Sequence, residues 1–150
     1  MSQKPLIAAA GIVAACAVVA TAAPADAATP AVHFTRIQYD SPGKDTRSNT
    51  SLNAEYVTIH NSSHHTVSLT HWSVRDAAGH RYTFGSFSLR PGTSVRLHTG
   101  SGHNISTSRY WGSRAYIWNN TGDTAILRTP AGRTYDSCRW THDSPGYTNC

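Results

Sequence analysis

WNNTGDTAIL, residues 118–127, sets a tryptophan, two amides, a glycine and a carboxylate directly before an aliphatic run. Two readings compete. Asn119, Asn120 and Asp123 are side chains able to orient a substrate or a metal, but no base or metal partner stands near them in the sequence. In the other reading Tyr116, Ile117 and Trp118 lead into a turn and Ala125, Ile126 and Leu127 lead out of it. That describes a hairpin loop of about three to five residues containing glycine. Gly122 supplies a positive φ, and Asn and Asp side chains bond the amides that a strand ladder leaves unpaired. The cluster therefore reads as a turn between strands.

Moving outward, EYVTIHN (55–61) sets Val57 and Ile59 against Thr58 and His60, and TVSLTHWSVRD (66–76) alternates likewise. A period of two means one buried face. AAGH (77–80) and Arg90-Pro91-Gly92 mark turns around HRYTFGSFSL, SVRLHTG follows, and VHFTRIQYD (32–40) and RTYDSCRW (133–140) flank the whole. SPGKDTRSNTSLN (41–53) reads as loop, and GSGHNISTSRYWGSR (100–114) is the longest irregular segment. No extended stretch after the N-terminal leader carries apolar residues at helical spacing. About eight short strands at intervals of roughly 8–12 residues, separated by Gly and Pro turns, predict an all-β antiparallel sandwich or barrel.

The N-terminal stretch MSQKPLIAAAGIVAACAVVATAAPADA has one lysine, an alanine-rich apolar run and Ala25-Asp26-Ala27, the pattern of a secretory signal peptide over residues 1–27. Val13-Ala14-Ala15-Cys16 offers an alternative, a lipid anchor through Cys16, although the run continues apolar beyond the cysteine. Residues 28–31 form a short lead-in, 32–140 the domain and 141–150 a C-terminal tail. No transmembrane span is expected in the mature chain.

Removing the leader takes one lysine and one aspartate and leaves a net charge of +5, with Lys44 the sole lysine and the other cations arginine. The arginines are scattered from Arg36 to Arg139 without a block, which ranks an anionic envelope polymer first, a protein partner second and extracellular DNA last among candidate ligands. Two cysteines remain, Cys138 and Cys150, and in an oxidising compartment they are expected to pair and tie the tail to the body.

Reaction centres are not expected, and neither is a cofactor. His60 and His64 are four apart, but that spacing converges on a metal only on a helix, and His33, His60, His98 and His103 meet only through tertiary folding. The acids Asp40, Asp45, Glu55, Asp76, Asp123, Asp136 and Asp143 stand singly. There is no G-x-S-x-G, no H-E-x-x-H, and HTGSGHN (98–104) lacks the lysine of a phosphate-binding loop. The site expectation is therefore catalytic none and metal none. The alternative is a small secreted hydrolase with a His/Asp site assembled from distant loops around His98 and His103.

Taken in order, NAEYVTIHNSS (53–63), LTHWSVRDAAGHRYTF (69–84), LRPGTSVRLHTGSG (89–102) and WNNTGDTAILRTPAGRTYDSC (118–138) resemble the lamin-tail domain, in its secreted bacterial form. The resemblance implies an immunoglobulin-like antiparallel β-sandwich and a non-catalytic binding or structural module. It also implies that Trp72 and Trp118 are core aromatics and that Trp118, Asn119, Asn120, Gly122 and Asp123 form the signature turn. Two positions depart from the pattern: His71 where glycine often precedes the tryptophan, and Gly85 where proline often follows the aromatic.

Overall fold

A computed structural model describes residues 28–141 and 145–150. The expected signal peptide with Cys16, and Asp143 in the tail, lie outside the described residues. Chain order is β1 (Val32–Gln38), α1 (Asn49–Asn53), β2 (Tyr56–Asn61), β3 (Val67–Ser68), β4 (Ser73–Arg75), β5 (Arg81–Thr83), β6 (Ser88–Leu89), β7 (Ser94–His98), β8 (Ser108–Tyr110), β9 (Asp123–Arg128), β10 (Thr134–Trp140) and β11 (Tyr147–Asn149). The fold is all-β and immunoglobulin-like, as expected. No helix among the described residues is long and apolar enough to cross a membrane.

One sheet has the order β11-β1-β2-β7-β8, a second β10-β9-β4-β5, and β3 pairs with β6 apart from both. Their inward residues make one core: Val32, Phe34, Ile37, Val57, Ile59, Val95 and Leu97 from the first sheet, Val74, Ala125, Leu127 and Trp140 from the second. The alternation read in β2 is observed, with Val57, Ile59 and Asn61 buried and Tyr56, Thr58 and His60 partly exposed. In β1 strict alternation would send Arg36 inward after Val32 and Phe34. A bulge at Thr35 shifts the register between Phe34 and Arg36, so that Ile37 enters the core and Arg36 faces out.

Four features depart from the expectation. Eleven strands are present among the described residues because several are only two or three residues long. The pairing of β7 with β8 is parallel, whereas the other strand pairs are antiparallel. The segment 41–53 is not all loop, since Ser48 accepts a hydrogen bond from the Ser51 N–H as the N-cap of α1, whose Leu52 is buried. A single turn leaves no periodicity to read. Finally, WNNTGDTAIL is no hairpin: residues 111–122 are the passage from β8 in one sheet to β9 in the other. His71, one of the two departures from the family pattern, adopts a left-handed φ of 65° that glycine would take without strain.

Cys138 in β10 is bonded to Cys150 beyond β11. The tail is therefore more than tethered: β11 adds an outer strand to β1, and the Cys150 N–H bonds the bulged Thr35 carbonyl at 3.1 Å. Cys150→Ser is expected to lower unfolding free energy by about 3 kcal/mol, the loop-closure value for a ring of this size, measured by denaturant titration. Reductant should do the same to the parent chain and nothing to the variant.

Candidate functional site

The signature turn is built around the Asp123 carboxylate. It accepts from the backbone N–H groups of Thr124 (2.7 Å), Ala77 (3.0 Å) and Asn119 (3.2 Å), and so ties three backbone segments together. Gly122 donates to the Asn119 carbonyl at 3.3 Å, and that carbonyl also accepts the Trp140 indole N–H at 2.8 Å. Asn119 contributes its backbone here, not its amide, contrary to the expected amide capping. Gly122 has φ 148°, and a Cβ there would sit 3.3 Å from the Trp140 carbonyl oxygen. Trp118 is buried edge-on between Trp111 and Trp140, whereas Trp72 is only partly buried, against Tyr135.

The remaining acids do similar work. Asp76 accepts from the Gly79 and His80 N–H groups and from the His80 ring, closing the β4–β5 turn. Asp136 accepts the Phe34 N–H at 2.7 Å and so stitches β10 to β1. Glu55, which no sequence pattern singles out, is 1% exposed. One of its oxygens accepts the Thr99 hydroxyl at 2.6 Å and the N–H groups of Ile117 (2.8 Å) and Trp118 (3.4 Å); the other has no hydrogen-bond partner among the described residues. Burial pushes its carboxyl up from 4.5 to about 7 against the pull of those three donors, with Asp45 adding slightly to the rise.

The histidines are divided. His33 and His60 meet with ring centroids 5.7 Å apart, His98 bonds the Asn53 carbonyl through its ring, and His64 and His103 are exposed on loops. No group of three or more His, Cys, Asp or Glu side chains able to hold a metal occurs among the described residues. The loop 98–104 is held by α1, with the Asn49 and Asn53 amides both donating to the Ser101 carbonyl at 2.9 Å.

What the fold does gather is the outer face of the five-stranded sheet. Strand register aligns Asn149, Arg36, Thr58, Arg96 and Ser108 in one row, and Tyr147, Gln38, Tyr56, His98 and Tyr110 in the next. His33, His60 and Ser94 form a third, with His60 bonded to the Ser94 hydroxyl at 2.9 Å. Arg36 lies 3.7 Å over the Tyr147 ring and Arg96 4.8 Å over Tyr56. None of these five strands carries an acidic residue. Two arginines on strands about 10 Å apart, either side of β2, thus hold their guanidiniums on aromatic rings, and neither has an ion-pair partner among the described residues. In sequence they are scattered singly; pairing across β2 makes them neighbours.

No curated protein matches this chain. The lamin tail domain family model matches residues 25–142, most of its length. With its immunoglobulin-like sheets and its turn at 118–123 in place, the chain belongs to the lamin tail domain family.

Proposed function

We propose that the chain is a non-catalytic exported domain of the secreted bacterial type that binds or assembles at or outside the cell envelope, through the outer face of its five-stranded sheet. The single observation that carries this is the row Arg36–Thr58–Arg96 on a sheet whose five strands carry no acidic residue. The leader over residues 1–27 supplies export, with anchoring through Cys16 as the alternative route to the same surroundings. The carboxylates of Glu55, Asp76, Asp123 and Asp136 are engaged in holding backbone amides, which supports a scaffold rather than a reaction centre. An anionic envelope polymer is the first ligand, ahead of a protein partner and extracellular DNA.

The test is retention on an anionic matrix across a salt series. Retention should fall steeply with salt, and the R36Q/R96Q pair should reduce the slope of log affinity against log salt by about two. Salt-independent retention, or an unchanged slope in the double variant, would count against this face. A screen for hydrolysis of nucleic acid, peptide and glycan substrates, with and without chelator, is expected to stay at blank.

A further inference from the structure

The arginine face does not end at the sheet. Ser94, bonded to His60 in its third row, also lines a groove of about 670 Å³ running between β6, β7 and the 104–107 turn. Seven of the thirteen residues lining it are serine or threonine, none is acidic, and Arg90 and Arg109 supply its charge. Arg109 lies over the Phe87 ring at 3.9 Å and caps the carbonyls of Ile105 and Ser108, so it shapes the wall, and Arg90 is the exposed cation. Ile105, the exposed large hydrophobic residue among those described, forms the lip. A cleft of this size accommodates a ligand of a few sugar or polyol units, and hydroxyl walls suit a ligand rich in hydroxyls.

The aromatic rings of the face argue about the same ligand. Stacking of bases needs uncovered rings. Here Tyr147 and Tyr56 already carry guanidiniums, and Tyr110 is stacked on His98 at 5.1 Å. Gly102 presses on Tyr110 as well, since a Cβ at that glycine would lie 2.4 Å from the ring. The rings orient cations; they do not offer a platform for bases.

We infer that the ligand is a chain of polyols or sugars joined by phosphodiesters, its phosphates on Arg36 and Arg96 and its hydroxylated units in the groove between Ser88, Thr93, Ser94, Ser106 and Thr107. This rests on the polyanion-binding reading of the arginine face and specifies the chemistry that face would meet.

The experiment compares binding of the full mature chain to three probes of matched charge at one salt concentration: synthetic oligo(glycerol phosphate), oligothymidylate and poly-L-glutamate. Oligo(glycerol phosphate) should bind at least about tenfold more tightly than either other probe. Ser106→Tyr, which fills the groove from an exposed turn, should remove most of that preference while leaving poly-L-glutamate binding unchanged, and the R36Q/R96Q pair should weaken all three. Thermal melts establish that each variant is folded. Equal affinity for all three probes, or a preference untouched by Ser106→Tyr, would overturn the inference and leave the arginine face standing. Tighter binding of oligothymidylate would replace it with a nucleic-acid surface. Retention of none of the probes would overturn both readings together.

Discussion

Trp140→Ala is expected to be among the most damaging single substitutions in the domain, lowering unfolding free energy by about 3–5 kcal/mol, the range for removing a buried tryptophan. Trp140 is 3% exposed, stacks on Tyr39 with centroids 4.9 Å apart and meets Trp118 edge-on at 6.0 Å. Its indole N–H holds the Asn119 carbonyl of the signature turn, so truncation opens a cavity and removes a hydrogen bond at once. Trp140→Phe separates the two effects: it keeps a ring in the core and drops the donor, and should cost about 1–3 kcal/mol less than alanine. Urea titration of the three proteins measures both steps. Equal losses for alanine and phenylalanine would mean that the hydrogen bond, not the ring volume, holds the turn.

Stability should also fall as pH rises from about 4.5 to about 7, because of Glu55. Its folded-state carboxyl is raised to about 7 by burial, while in the unfolded chain it sits near 4.5. Between those values the unfolded state ionises and the folded state does not, so the contribution is fully present below the lower value and lost through the upper one. A shift of this size corresponds to about 3 kcal/mol. Glu55→Gln keeps an acceptor for Thr99, Ile117 and Trp118 but cannot ionise. Near pH 4 it should match the parent, and near pH 8 it should be more stable by up to about 3 kcal/mol. The difference between the two proteins isolates this one group; a difference constant across that range would refute the assignment. Glu55→Leu should be destabilising at every pH, since three buried donors lose their acceptor.

Much of the fold is legible in the chain because its signals are local. The alternation of β2 and the glycine turns at 77–80 and 91–92 each depend on a few adjacent residues, and the structure has them. The β-strand character of 123–128 follows for the same reason, but its partner does not. Nothing in Tyr116-Ile117-Trp118 announces that its amides go to the Glu55 carboxylate instead of a ladder. The parallel β8 and the one-turn helix are likewise set by tertiary pairing. For the candidate site the case is sharper. Arg36 and Arg96 are sixty residues apart, and the ordinary alternation of VHFTRIQ would put Arg36 in the core. Only the bulge at Thr35 turns it outward, and a bulge has no signature when the residue is threonine. The turn residues at 118–123 are conspicuous in sequence, and the Asp123 carboxylate there holds backbone amides, whereas the arginine row is inconspicuous and becomes a surface only when the strands are laid side by side.

The bond between Cys138 and Cys150 also governs how the domain would bear a mechanical load. A pull applied at Cys150 enters β10 directly through sulfur, so the bridge rather than β11 carries the tension into the domain. Peeling β11 away from β1 would give the pulled end no added length. With the bridge intact, resistance to the tug is therefore transferred to the second sheet; with it reduced, the terminal strand becomes a zip that opens one rung at a time.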